Sequence, residues 1–209
     1  METELLNIFD EGRKQIGVAS REEVHKKGYW HETFHCWFIS KEQNQDCIYF
    51  QNRSKIKKDY PGLLDITAAG HLLSHESVMD GIREVEEELG ISVAFDELIP
   101  FGVIDYCAEK ENFIDKELAH VFVYRSHHRL DEFVPQLEEV SGVVRIAMDD
   151  FYELWFNGKD SIASEGFEIS NGKRVQVRRQ VTKKDFVPHE DYYYRRVLHS
   201  IRELETEKC

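Results

Sequence analysis

Short apolar runs separated by polar turns recur along the chain and predict a series of β-strands. The expected strands lie at residues 5–9, 15–19, 34–40, 47–51, 98–106, 117–125 and 142–147. Asn171-Gly172 stands between two further apolar runs and is the dipeptide typical of a tight hairpin turn. The chain is therefore expected to form a late hairpin before its last helix.

Apolar residues at helical spacing predict the helices. The clearest helix runs over residues 77–89, where Val78, Ile82, Val85 and Leu89 define one buried face. Shorter helices are expected after a capping box at 20–23, over 149–156 and over 189–204, where residues 192–194 should pack the last helix on the sheet. Strands and helices do not alternate regularly, which favours an α/β or mixed α+β fold with helices on the faces of one sheet.

Composition narrows the classes of partner. The chain has 209 residues with 27 Lys and Arg against 40 Asp and Glu, a net charge of −13. Such an acidic surface argues against nucleic acid polymers and anionic membranes as partners. No apolar run approaches the ~18 residues of a membrane span, and residues 1–7 lack the features of a secretion signal. Cys36, Cys47, Cys107 and Cys209 have no CxxC spacing, which predicts free thiols and a cytoplasmic location.

Three carboxylates of the helix at 77–89 are unfavourably placed. At about 100° per residue, Glu84, Glu87 and Glu88 share one arc nearly opposite the apolar face. Like charges at this spacing cost a few tenths of a kcal/mol per pair, and the helix dipole repels Glu87 and Glu88 by roughly 0.3–1 kcal/mol each. A hard divalent cation, Mg²⁺ or Mn²⁺, would reverse both effects. A solvated acidic face is the alternative.

The residues around these carboxylates form a longer pattern. Gly70 is followed after five residues by Glu76 and, after six more, by Arg83-Glu-Val-Glu-Glu-Glu-Leu-Gly-Ile91. This pattern resembles the signature of the Nudix hydrolase family, which has seven residues rather than six between the positions of Glu76 and Arg83. The deletion falls at the junction of loop and helix and is therefore expected to shift Glu76.

The resemblance implies a fold, a reaction and a set of ligands. The fold is a mixed sheet sandwiched between helices, with an N-terminal hairpin and a C-terminal hairpin plus helix. One domain would span residues 1–209, with its core at about 30–157 and an extension at 158–209. The reaction is Mg²⁺- or Mn²⁺-dependent hydrolysis of a diphosphate bond in a small organic substrate. The implied metal ligands are Glu84, Glu87, Glu88 and the carbonyl of Gly70, and Arg83 would pair with Glu76.

Segments outside the motif are similar to a narrower branch that includes isopentenyl diphosphate isomerase. Together this similarity runs over roughly residues 5–150. The isomerase has a catalytic cysteine where this chain has Ala69, and alanine cannot transfer a proton. By this resemblance the candidate metal- or substrate-binding residues are His31 and His71, the candidate extra ligand or base is Glu117, and the candidate diphosphate contacts are Arg53 and Lys57. Ordinary pocket or surface roles are the alternatives for each.

The base, the substrate and the reaction class stay open at this point. Glu87, Glu88 or Glu117 would accept the proton of the attacking water. Nucleoside diphosphate derivatives, dinucleotides, prenyl diphosphates and cofactor diphosphates all fit the expected chemistry. An isomerase-like enzyme and a non-catalytic nucleotide-sensing module are the alternatives, and a homodimer is suggested by the resemblance alone.

Overall fold

The computed structural model describes residues 4–42, 44–110 and 113–206. Within this part the strands are β1 (Leu5–Phe9), β2 (Gln15–Ser20), β3 (Trp30–Glu42), β4 (Gln45–Arg53), β5 (Leu64–Asp65), β6 (Ala68–His71), β7 (Ile99–Lys110), β8 (Phe113–Arg125), β9 (Val140–Ala147), β10 (Ile162–Ser170) and β11 (Lys173–Val181). The helices are α1 (Arg21–Lys27), α2 (Arg83–Leu89), α3 (Met148–Phe156) and α4 (Asp191–Thr206).

The strands form one mixed sheet. Its main path runs β11-β10-β9-β4-β3-β1-β2, with β5 beside β4, β6 beside β3, and β7 paired with β8. β8 lies parallel to β3, and the other pairings within the described residues are antiparallel. The predicted N-terminal hairpin (β1 and β2) and C-terminal hairpin (β10 and β11) are both confirmed.

β3 sets the positions of residues from distant parts of the chain. It pairs with β8 on one stretch, where His31 stands opposite Glu117, and with β6, where Thr33 stands opposite His71. Side chains two residues apart on a strand share a face. The register therefore brings polar residues of β3, β6 and β8 together at one end of the sheet.

The helix predicted at 77–89 is shorter than expected. Regular α-helix begins only at Arg83, after a 3₁₀ turn over Asp80–Ile82. The backbone N–H and hydroxyl of Ser77 both donate to Asp80 Oδ2, at 2.8 and 2.7 Å, and this local turn competes with the α-helix. Gly81 packs against Phe34 so closely that a Cβ there would clash with the ring. The remaining predicted helices are found, with bounds that differ by a few residues.

Helices cover both faces of the sheet, as the mixed α+β prediction requires. On one face α3 and α4 pack on the sheet through a cluster that includes Trp37, Phe151 and Tyr194. On the other face Val85 and Leu89 of α2 pack against strand residues and Phe133. The sheet therefore lies between two apolar layers, and α2 is fixed through its apolar face with its acidic face turned toward β6.

The sequence also led to predictions about the cysteine thiols and about membrane-spanning segments. Cys36, Cys47 and Cys107 are free, and Cys209 lies outside the described residues. Among the described residues no helix combines the length and apolarity that crossing a membrane requires.

Candidate active site

The acidic face of α2 rests against the strand that carries Gly70. The Glu84 carboxylate occupies the space in which a Cβ of residue 70 would stand, so a larger residue would displace it. Val85 and Leu89 anchor the helix in the core. A side chain at position 70 would therefore force the Glu84 carboxylate, which is the end of a flexible side chain, to move.

Glu88 is the most enclosed of the three predicted carboxylates. It is 5% exposed, and its Oε2 accepts hydrogen bonds from the backbone N–H of Ala69 at 3.0 Å and from Gln51 Nε2 at 3.1 Å. Burial, and then the nearby charge of Glu84, raise the pKa of Glu88 well above its usual value. A buried carboxylate with no cationic partner within bonding distance is costly unless a cation neutralises it.

Glu84 and Glu87 share the guanidinium of Arg83. Arg83 Nη1 lies 2.6 Å from Glu84 Oε1 and 2.9 Å from Glu87 Oε2. Burial nevertheless raises the pKa of Glu84 to about 7, although the charge of Arg83 opposes it. The Glu87 side chain is 54% exposed, so it stands at the rim of the site.

Arg83 also holds the loop before the helix. Its Nε lies 2.6 Å from Glu76 Oε1, and its Nη2 donates to Glu76 Oε2 and to the carbonyl of His71, both at 3.1 Å. Glu76 Oε2 in turn accepts from the backbone N–H of Leu73 at 2.8 Å. The loop with one residue fewer therefore still presents Glu76 to Arg83.

A second cluster of possible ligands lies beside the first. His25, His31 and His71 offer nitrogen atoms close to one another, and His31 also lies close to Asp115 and Glu117. Asp115 Oδ1 is 3.4 Å from His25 Nε2 and 3.5 Å from His31 Nε2. His31, His71 and Glu117 were expected from the sequence, whereas His25 and Asp115 had been given no role.

His31 is held in the form that binds metals. Its Nδ1 bonds to the carbonyl of Tyr29 at 3.2 Å, so the proton of the neutral ring lies on Nδ1 and Nε2 keeps its lone pair. The Nδ1 of His25 bonds to the carbonyl of Arg21 at 2.7 Å, and although burial opposes it, the hydrogen bonds of His25 to Asp115 and to this carbonyl raise its pKa. Burial lowers the pKa of His31 to about 4, and its Nε2 is buried without a hydrogen-bond partner in the described residues.

Glu117 closes the cluster from β8. Its Oε2 lies 3.1 Å from His35 Nε2 and 3.3 Å from Thr33 Oγ1. Burial, and then the charge of Asp115, raise the pKa of Glu117 well above its usual value. Glu117 is thus a second enclosed carboxylate at the same end of the sheet.

The two predicted diphosphate contacts are engaged by acidic partners. Arg53 Nη1 donates to Asp65 Oδ2 at 2.7 Å, and its other donors reach the carbonyl of Asp59. Lys57 bonds to Glu139. Both cations line the cavity, but each would have to share its charge between a protein carboxylate and a phosphate.

All of the predicted site residues except Glu76 and His31 line one cavity of about 360 Å³. Among the described residues around it stand nine carboxylates: Glu4, Asp59, Asp65, Glu84, Glu87, Glu88, Asp115, Glu117 and Glu139. The cationic side chains are Arg21, Arg53, Lys57 and Arg83. The cavity is therefore strongly acidic, and an anionic ligand would need additional positive charge to enter it.

Comparison with known proteins gives one relative over nearly the whole chain. An uncharacterized Nudix hydrolase of Clostridium acetobutylicum is 41% identical over 207 residues, which cover 96% of this chain and 98% of that protein. The isopentenyl-diphosphate Delta-isomerase of Corynebacterium diphtheriae is 28% identical over 150 residues, 68% of this chain and 78% of that one. No family model matches the chain.

A solved structure shares the fold. DR0079 from Deinococcus radiodurans superimposes with a TM-score of 0.55 at 18% identity, over 75% of this chain and 91% of that one.

Proposed function

This chain belongs to the Nudix hydrolase family, and on that premise we propose that it hydrolyses the diphosphate bond of a small organic diphosphate with Mg²⁺ or Mn²⁺ as cofactor. The observation that carries the proposal is the pair of enclosed carboxylates, Glu84 and Glu88, at the edge of β6. Their raised pKa values mean that the folded protein bears an electrostatic cost that a divalent cation would remove.

The donor set suits a hard cation. Glu84, Glu88 and the carbonyl of Gly70 would supply oxygen ligands, and Glu87 would reach in from the rim; carboxylate and carbonyl oxygens are the ligands that Mg²⁺ and Mn²⁺ prefer. The absence of a side chain at Gly70 provides the space for this arrangement. Arg83 orients Glu84 and Glu87 and ties the loop at Glu76 to the helix.

A second cation fits the cluster that joins His25, His31, His71, Asp115 and Glu117. The buried Nε2 of His31 has no hydrogen-bond partner among the described residues, and leaving such an atom without a ligand costs roughly 1–3 kcal/mol. Mixed imidazole and carboxylate ligands suit Mn²⁺ or Zn²⁺ better than Mg²⁺.

The cations and the protein side chains would have different roles in the reaction. Bound cations supply positive charge to phosphoryl oxygens and lower the pKa of the attacking water. Arg53 and Lys57 would approach the diphosphate from the opposite wall. The sequence named Glu87, Glu88 or Glu117 as the proton acceptor. In this proposal Glu88 and Glu117 would serve as metal ligands, and Glu87 is paired with Arg83, which would make each a weaker base.

A metal-dependent turnover screen tests this proposal. The panel is ADP-ribose, NADH, diadenosine tetraphosphate, coenzyme A and isopentenyl diphosphate, each with Mg²⁺ or Mn²⁺ and each with chelator. We expect metal-dependent cleavage of at least one diphosphate by the wild type and its loss in Glu88→Gln. Glu86→Gln, at an exposed position of the same helix outside the cavity, should remain active. Turnover of Glu88→Gln at the wild-type rate would refute the assignment.

Isomerisation of a prenyl diphosphate is the second candidate, because the histidine–carboxylate cluster lies within the segments similar to the isomerase. Ala69 argues against it, since its methyl group cannot transfer a proton. Isopentenyl diphosphate separates the two reactions: hydrolysis releases phosphate, whereas isomerisation shifts the double bond and releases none.

A further inference from the structure

A histidine from the C-terminal segment is bound to a buried aspartate on the wall of the cavity. His189 lies between β11 and α4, and its Nε2 is 2.7 Å from Asp65 Oδ1. Asp65 Oδ1 also accepts from the backbone N–H of Ile66 at 2.8 Å, and its Oδ2 accepts from Arg53 at 2.7 Å. Both residues line the same cavity as Glu84 and Glu88.

The partners of Asp65 fix the tautomer of His189. Burial alone would raise the pKa of Asp65, but hydrogen bonding to His189 and the charge of Arg53 hold it well below its usual range. Asp65 is therefore an anion that can only accept hydrogen bonds, so the proton of a neutral His189 resides on Nε2. The lone pair of His189 is then on Nδ1.

The Nδ1 atom has no partner within the described part of the chain. It is buried, and the His189 side chain is 8% exposed. An unsatisfied buried acceptor costs roughly 1–3 kcal/mol. The oxygens of a fully ionised diphosphate carry no hydrogen to donate, so they cannot satisfy a neutral Nδ1. A water molecule can.

We propose, resting on the hydrolysis argued above, that His189 is the catalytic base and Asp65 its positioning partner. As the water oxygen forms its bond to phosphorus, the bridging P–O bond breaks and its electron pair leaves with the departing phosphate. The water proton moves to His189 Nδ1, and the resulting imidazolium is stabilised by Asp65. The proton then passes to the released phosphate or to solvent, which restores the neutral ring.

The charges around His189 suit this role. Asp65 from β5 and Glu117 from β8 are its acidic neighbours, since the charge of His189 acts on the pKa of both. Arg53 reaches Asp65 from β4. The rings of Tyr106, Tyr193 and Tyr194 pack at 5.2, 5.3 and 5.5 Å from the imidazole and carry no charge at neutral pH.

The decisive variant is His189→Gln, because a glutamine amide can still donate to Asp65 but offers no base at the Nδ1 position. With the most active substrate of the panel, we expect kcat to fall about 100-fold, within the usual range for general base catalysis, while KM changes less than threefold. Asp65→Asn should also lower kcat, because the asparagine amide no longer fixes the proton of His189 on Nε2. His199→Gln, exposed on α4, should match the wild type.

A second measurement needs no substrate. Long-range ¹H–¹⁵N spectra of the metal-free wild type should show His189 protonated at Nε2 and unprotonated at Nδ1. The His189 signals are assigned as those missing from the spectrum of His189→Gln. The Nδ1–H tautomer would overturn the inference. So would a His189→Gln enzyme with wild-type kcat, or one in which only KM rises. A wild type that cleaves no member of the panel would instead refute the proposed function.

Discussion

Neutralising Glu84 should stabilise the metal-free protein while removing its affinity for metal. Burial raises the pKa of Glu84 to about 7 from a value of 4.5 in the unfolded chain. A carboxyl with a raised folded pKa contributes its stability fully below the unfolded pKa and loses it as pH rises through the folded one. The wild type should therefore lose stability between about pH 4.5 and pH 7.

The magnitude follows from the size of the shift. The difference of about 2.5 pKa units corresponds to roughly 3 kcal/mol at 1.36 kcal/mol per unit. The shift already includes the opposing charge of Arg83, so for Glu84→Gln we expect a net gain of up to about 3 kcal/mol at pH 8 and none at pH 4.5.

Urea denaturation in the presence of chelator, at pH 4.5 and pH 8, measures the effect. The unfolding free energy of Glu84→Gln should exceed that of the wild type only at pH 8, and added Mn²⁺ should raise the midpoint of the wild type alone. Glu86→Gln is the matched control on the exposed side of α2. Equal destabilisation of Glu84→Gln at both pH values would refute the reasoning.

Three further variants test other contacts. Gly70→Ala places a methyl group in the space of the Glu84 carboxylate, which must then move. We expect about tenfold weaker Mn²⁺ binding by calorimetry, and unchanged binding would contradict the close approach. Arg83→Lys loses the two hydrogen bonds from the guanidinium to Glu76. We therefore expect a loss of about 2 kcal/mol in unfolding free energy and faster proteolysis of the 71–77 loop. Proteolysis at the wild-type rate would argue against a role of Arg83 in holding this loop. His31→Gln should reduce the Mn²⁺ stoichiometry from two to one without removing the site at α2, and two bound ions in this variant would exclude His31 as a ligand.

The local parts of the site were predictable because their spacing lies within one element. Glu84, Glu87 and Glu88 are one helical turn apart, and Arg83 and Glu76 are joined by a short loop, so sequence alone placed them together. The predicted start of α2 was wrong because Ser77 and Asp80 form a separate turn, and the spacing of apolar residues does not reveal such a turn.

The remaining parts depend on tertiary pairing. His25 of α1 and Asp115 of β8 meet because α1 packs against β8, although the two-residue spacing of Asp115 and Glu117 was a usable signal that both side chains share a face. His189 reaches Asp65 through the packing of the C-terminal segment. Basic residues at 53 and 57 were visible in the sequence, but their acidic partners, which are set by the fold, were not.

The central claim is that the acidic face of α2 holds a divalent cation against β6 in contact with a diphosphate. The direct measurement is anomalous diffraction from crystals soaked with Mn²⁺ and a non-hydrolysable diphosphate analogue. The account predicts a manganese peak bounded by Glu84, Glu88 and the carbonyl of Gly70, with a phosphate oxygen among its ligands. Crystals that contain the analogue but show no manganese at these residues would contradict it.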